Sequence, residues 1–442
     1  MALHISKLHY RNLVLGADTP VLLRNGKKVR GINFDNAATT PPLISVLEEI
    51  SNFAPYYSSI HRGAGYKAKI SSQKYEEARE TVLNFVGADP KKDIVIFVKN
   101  ATEAINKVAY RLTQIDKDKN IILSTAMEHH SNDLPWRDKY QVEYIEVDEC
   151  GRLLFADYLE KLERYKGKVK LVTVTGASNV TGYINPVHKI AETAHKYGAR
   201  ILVDGSQLIP HRPFEMKSWL SAKHIDFVVF SAHKMYAPFG IGVLIGPREL
   251  FEQGNPDLTG GGTVRAVTHD LVVWNDPPSK DEAGTPNLFG VIALAAAIKT
   301  LKSIGMNNID KHEQALVRQL IKGLKNLSGI EMYCTDEQER VGIVPFNVKG
   351  IHHGVLAEIL AGEAGISVRS GCFCAHPYVT KLLKVTPEKI QRIIASPQEP
   401  KPGVVRVSFG FYNEHAEVDR LLEILAEVTK KKRHYLKLYN CV

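Results

Sequence analysis

At 442 residues and 44% hydrophobic content, the chain is long enough to bury one large core and a second, smaller one, which excludes a minimal disulfide-stapled domain. Its formal charge of +9 is spread along the sequence, with no long basic block beyond Lys430-Lys-Lys-Arg433, so nothing in the charge calls for a nucleic-acid partner. The five cysteines, Cys150, Cys334, Cys372, Cys374 and Cys441, are too scattered for a disulfide framework; the apolar runs are strand-sized, and Met1-Ala-Leu-His4 does not open a leader, so the expectation is a cytoplasmic protein without a membrane span.

Taken in chain order, strand-like apolar runs alternate with helical patterns. Ile94-Val-Ile-Phe-Val98 is followed by a helix expected from Glu103 to Thr113, then by Ile121-Ile-Leu123 ending at Ser124. Further runs are Leu171 to Val174, Ile201 to Val203, Phe227 to Phe230 and Val243 to Ile245. This alternation predicts a mostly parallel sheet with helices on both faces, and sites on such sheets sit past the carboxyl ends of strands. After Gly284-Thr-Pro-Asn287, a long apolar helix from Val291 to Ile298 links to a smaller α/β domain. The expected division is a large domain over 34–295 and a small one over 1–33 and 296–442. A helix is expected from Pro387 to Ile394, and the Pro-rich stretch 396–403 reads as a loop.

Two of these strand ends carry chemistry. Ser231-Ala-His-Lys234 follows the run ending at Phe230, and Asp204 closes the run ending at Val203. A lysine at the end of a buried strand is an amine whose charged form is disfavoured, ready to form a Schiff base. A carboxylate on the same sheet edge would keep a pyridine nitrogen protonated. Pyridoxal phosphate needs that pair, since its protonated ring is an electron sink. Taken singly, Lys234 also reads as a surface lysine and Asp204, before Gly205, as a turn signal. Gln207, three residues past Asp204, and the donors Ser231 and His233 around the lysine favour the chemical reading.

The same chain carries Asn33-Phe-Asp-Asn-Ala-Ala-Thr-Thr40, Ser59-Ile-His-Arg-Gly63, Ala101-Thr-Glu103, Glu128-His-His130, Ser178-Asn-Val180, Val203-Asp-Gly-Ser-Gln207, Ser231-Ala-His-Lys234, Ala283-Gly-Thr-Pro286, Val368-Arg-Ser-Gly371, Cys374-Ala375 and Val405-Arg-Val-Ser408. Each segment is short, but in this order and over this length they identify a resemblance to the class V aminotransferase superfamily. Within it the chain resembles most the group II cysteine desulfurase and selenocysteine lyase family. The resemblance implies a fold-type I enzyme with a mostly parallel seven-stranded sheet between helices and a smaller C-terminal α/β domain. It implies pyridoxal 5'-phosphate bound through Lys234, with Asp204 on the ring nitrogen, His129 on the ring face, and Asn179 and Gln207 at the ring hydroxyl. The phosphate would lie at Ala101, Thr102, Ser231 and His233, where a helix N-terminus favours an anion. Thr102 also reads as a plain helix cap. Thr285 would reach the phosphate of a neighbouring subunit, which makes the expected protein a homodimer. Arg406 would clamp the α-carboxylate of a small amino acid, with a structural ion pair as the competing reading, and His61 and Asn36 would line the substrate.

Cys374 matches the family's sulfur-accepting cysteine. The implied activity is conversion of L-cysteine to L-alanine, with a persulfide on Cys374 passed on to a sulfur-acceptor protein. Related reactions of the same cofactor are the alternatives: selenocysteine lyase, cystine or cysteine-conjugate C–S lyase, and an amino-acid epimerase. A rival of another class is a non-enzymatic sulfur carrier or scaffold. Two departures from the family pattern stand out. One is the second cysteine, Cys372, which reads as packing, as a persulfide-resolving thiol or as half of a soft-metal pair lacking two further ligands. The other is the long stretch between Cys374 and Arg406, which is expected to border the substrate entrance.

Overall fold

A computed structural model describes residues 10–333, 339–396 and 398–439, so Cys334 and Cys441 lie outside it. In chain order, the elements that build the site are α1 (Ile44–Phe53), α2 (Tyr66–Val86), β1 (Asp93–Val98), α3 (Ala101–Leu112), β2 (Ile121–Thr125), β3 (Gln141–Ile145), β4 (Val169–Thr175), α4 (Val187–Lys196), β5 (Arg200–Asp204), β6 (Phe227–Ser231) and β7 (Gly242–Pro247). They continue as α5 (Leu288–Ile304), α6 (Met306–Lys325), β8 (Ile330–Met332), β9 (Ile343–Val348), α7 (His353–Ala364), β10 (Arg369–Gly371), α8 (His376–Leu382), α9 (Pro387–Ala395), β11 (Val404–Ser408) and α10 (His415–Lys430).

Strands β1 to β7 form one seven-stranded sheet in the order β1-β7-β6-β5-β4-β2-β3. Only β7 runs against its neighbours, pairing antiparallel with β1 and β6, while the rest are parallel. Every residue of β1, β4 and β6 is buried, because helices cover both faces. Along β1 the faces alternate: Val95 and Phe97 pack in one core, Ile94, Ile96 and Val98 in the other. Strand β3 had no counterpart in the sequence reading. It is an edge strand with only Ile145 buried, so it lacks the apolar run that marks its neighbours.

The second sheet is antiparallel, in the order β8-β9-β11-β10, and builds its own core with α6, α7 and α10. The N-terminal segment touches both bodies: Val14 packs in the large core, whereas Ile32-Asn33 pairs in parallel with Ile366-Ser367 of the second. Among the described residues no single helix is long and apolar enough to cross a membrane; α5 and α6 would pass only together, and they are bent by 75°.

Candidate active site

All the parallel strands, and β1 with them, end at the same edge of the large sheet, facing the second sheet. Together they enclose a cavity of about 480 Å³, lined from the large sheet by Thr102, His129, Asp204, Gln207, Ser231 and Lys234, and from the other side by Arg369, Phe373, Cys374 and Arg406. The sequence-predicted Ala101, Asn179 and His233 line it as well.

Lys234 closes a 3-10 turn, Ala232–Lys234, at the end of β6. The turn is pinned from the N-terminal segment: the His233 carbonyl accepts from the Thr40 amide at 2.9 Å and from the hydroxyls of Thr39 and Thr40, each at 3.1 Å. Burial lowers the Lys234 amine to about 8, although the negative charge of Asp204 pulls the other way. Asp204 is buried, and its Oδ1 accepts from the Ser206 amide at 3.0 Å.

His129 Nδ1 accepts from the Ser131 amide at 3.1 Å, so the neutral ring carries its proton on Nε2. Burial, helped by the charge of Lys234, brings that ring down to about 4 and keeps it neutral. Glu128 beside it is buried, with Oε1 accepting from Thr125 Oγ1 and, at 2.8 Å, from the Thr175 amide, and with Oε2 accepting from Asn132 Nδ2 at 2.6 Å. It thereby ties the ends of β2 and β4 beneath His129. Gln207 donates through Nε2 to the Ala37 carbonyl at 2.7 Å, which turns its Oε1 the other way, buried and without a donor.

At the far end, α3 begins where Asn100 takes extended backbone and its side chain accepts from the Glu103 amide at 3.0 Å. The helix therefore starts two residues before the expected Glu103, and Asn100 rather than Thr102 is its cap. That frees the Thr102 hydroxyl, which lies 2.6 Å from Ser131 Oγ at the cavity wall. Ser231 Oγ accepts from the Ala101 amide at 2.9 Å. Gly242 permits this approach: a Cβ there would stand 2.5 Å from the Asn100 Cα. Burial lowers His233 to about 4, and the Lys234 charge adds to the effect.

From the second sheet, Arg406 is buried in β11 opposite Arg369 in β10. Its Nη1 donates to the Asn179 carbonyl at 2.8 Å and its Nη2 to Asp35 Oδ1 at 3.2 Å, and Arg369 approaches the other Asp35 oxygen at 3.4 Å. The ion pair expected as the competing role of Arg406 is thus present, yet Nε remains buried with no acceptor. Burial lowers this guanidinium to about 10, against the pull of Asp35. The Phe373 ring lies 4.6 Å from its centre. Cys374 is exposed in the cavity, and the Cys374 carbonyl accepts from the His130 amide at 2.7 Å.

Three predicted residues lie elsewhere. Asn36 is corrected: it is buried beside the cavity, its Nδ2 donates to the carbonyls of Asn33 and Ser408, and its Oδ1 accepts from Tyr412 OH at 2.8 Å. Those internal bonds leave it nothing to offer a substrate. His61 and Thr285 line a second concavity of about 380 Å³ with Arg62 and Gly262, outside the Lys234 cavity. His61 there pairs with Glu76 at 3.0 Å. Cys372 points away from the cavity, its thiol donating to the Pro402 carbonyl at 3.0 Å, so it fastens the return of the long insertion. Sequence reasoning passed over Thr40, Ser131, Asp35, Arg369 and Phe373. All but Ser131 and Phe373 lie inside the quoted motifs, where only contacts across the fold reveal their use.

The aminotransferase class-V family matches residues 32–421. The chain is 38% identical to a probable cysteine desulfurase of Pyrococcus abyssi, over 91% of this chain and 95% of that one, and 35% identical to a cysteine desulfurase of Haloferax volcanii, over 89% and 88%. The solved apo structure of a cysteine desulfurase from Thermococcus onnurineus NA1 superposes with a TM-score of 0.81 at 36% identity, covering 90% of this chain and 95% of that one. With a match over most of its length and a sheet, lysine and strand-end carboxylate arranged as described, the chain belongs to the aminotransferase class-V family.

Proposed function

We propose that the protein is a pyridoxal-phosphate-dependent cysteine desulfurase, which moves the sulfur of L-cysteine onto Cys374 and releases L-alanine. The observation that carries this reading is the exposed Cys374 thiol in one cavity with Lys234 and Arg406. The residues present fit the cofactor: Gln207 Oε1 is a buried acceptor that lacks a donor, and a ring hydroxyl is one. Lys234 would hold the aldehyde, Asp204 the ring nitrogen, His129 the ring face, Asn179 and Gln207 the hydroxyl, and Ala101, Thr102, Ser231 and His233 the phosphate. Bound there, pyridoxal phosphate supplies an electron sink for charge developing at the substrate Cα.

The chain's own residues do the rest. Arg406, which lines the cavity, would clamp the α-carboxylate and hold Cα within reach of Lys234. Lys234 Nζ, as the free amine its lowered pKa favours, takes the Cα proton. Cys374 Sγ attacks the substrate sulfur as thiolate; an S–S bond forms, the Cβ–S bond breaks, and its electron pair stays on the carbon fragment. Protons returned to Cβ and Cα complete alanine, while the enzyme thiol is left as a persulfide for a sulfur-acceptor protein. His61 and Thr285, outside their own chain's cavity, are read as lining that of a second copy in a homodimer.

The test is product identification with Cys374→Ala. Loss of both alanine and persulfide, with cofactor still bound, is the expected result. Alanine and sulfide formed at the wild-type rate would overturn the scheme, and pyruvate in place of alanine would mean β-elimination.

A further inference from the structure

Cys374 is presented by an unusual piece of backbone. Phe373 and Cys374 both have left-handed φ, 51° and 53°, a conformation that residues with a Cβ adopt uncommonly, and two in succession need outside support. Four contacts supply it. Asn179 Nδ2 donates to the Phe373 carbonyl at 2.7 Å, the His130 amide donates to the Cys374 carbonyl at 2.7 Å, and the Ala375 amide closes back on the Cys372 carbonyl at 2.9 Å. The fourth is the Phe373 ring itself, lying on the Arg406 guanidinium and packed at its edge against the apolar group of Met127, Val180 and Ala375. A cation over a ring face is held by the ring quadrupole, so the contact leaves the in-plane donors of the guanidinium to other partners, among them Asn179 and Asp35.

We propose that Phe373 is a positioning residue: it anchors the left-handed turn that aims Cys374 Sγ into the cavity to the same arginine that would hold the substrate carboxylate. This rests on the desulfurase reading. The arginine and the thiol must keep a fixed spacing if one end of a small amino acid is clamped while its sulfur is attacked, and the ring on the guanidinium sets that spacing. Loss of the ring frees residues 373 and 374 to return to ordinary φ, which carries the thiol off the line of attack. Arg406 keeps its contacts to Asn179 and Asp35, so carboxylate binding survives.

The test uses the full-length protein loaded with pyridoxal phosphate and three variants. Phe373→Leu keeps apolar bulk, Phe373→Gly keeps access to left-handed φ, and Phe373→Tyr keeps the ring. Two quantities are read: kcat and KM for L-cysteine, and the rate at which iodoacetamide alkylates Cys374, followed by mass spectrometry with and without cofactor. The Leu and Gly variants are expected to lose about tenfold to a hundredfold in kcat with KM within about threefold, to alkylate faster, and the Tyr variant to recover most of the rate. Wild-type kcat and alkylation in the Leu and Gly variants would overturn the inference, as would a loss carried wholly by KM. A wild-type protein that makes no alanine would sink the desulfurase reading instead, and the alkylation rates would still decide the role of Phe373.

Discussion

A lysine amine is useful as a nucleophile or base only in the fraction that is unprotonated, and at Lys234 the fold raises that fraction. Burial lowers the amine to about 8, while Asp204 holds it from falling further. Imine formation on rapid mixing of cofactor-free protein with pyridoxal phosphate should therefore climb with pH and level off above about 8, rather than rising towards the ordinary lysine range. Asp204→Ala removes the opposing charge, so the midpoint should move down; absorbance of the imine followed against pH checks both. Lys234 and Asp204 were legible in the sequence because each ends an apolar run, and strand ends fix position. Asn36 was not, since the motif that carries it holds the lysine turn through its neighbour Thr40, and only the fold tells a bracing residue from a lining one.

At the scale of elements, the opposite ends of β5 and β6 carry a device of their own. Asp226, just before β6, accepts from the Ile201 amide at 2.8 Å, and the rings of His195 in α4 and His224 converge on its two oxygens at 2.9 and 3.2 Å. Each Nδ1 faces a backbone carbonyl, of Ala222 and Ser221, and those oxygens only accept. The two rings stack at 4.1 Å and 19°, each with its Nε2 on an Asp226 oxygen. Asp93 and Trp219 complete the surroundings of His224. Burial lowers His195, but the hydrogen bond and charge of Asp226 outweigh it and hold the ring above 6.5. A raised folded pKa stabilises the fold below the unfolded value, and that gain is lost as pH rises through the folded one. Raising the pH from about 6 to about 8 should thus cost the wild type more melting temperature than His195→Gln, as calorimetry would read. Periodicity located β5 and β6, but neither α4 nor this cluster, because its members meet only when the strands pair.

For the whole molecule, the proposed homodimer turns on the second concavity, the one that holds His61 and Thr285. Arg79 joins Glu282 through a 2.6 Å contact, and Glu282 Oε1 accepts from the Phe97 amide, while Arg79 also reaches Glu76, the partner of His61. One ion-pair chain therefore fixes both His61 and the Gly284-Thr285 turn at the surface. The nearby hairpin of Val264–Val267 and Val272–Trp274 leaves Val267, Leu271 and Val272 exposed, an apolar face of the kind a second copy covers. Light scattering of the purified protein should give a two-chain particle, and a single chain at micromolar concentration would remove the proposed role of Thr285. The fold class was readable from alternating runs, whereas the strand order was not, and β3, half exposed at the edge, was silent.

The cavity is walled by two separately cored bodies, with Lys234 and Asp204 on one bank and Arg406 and Cys374 on the other. A guest gripped at both banks becomes a rivet between them, so its departure relaxes the whole frame and not merely one pocket. In such a protein the ease with which the two halves part bears on how a guest enters and leaves.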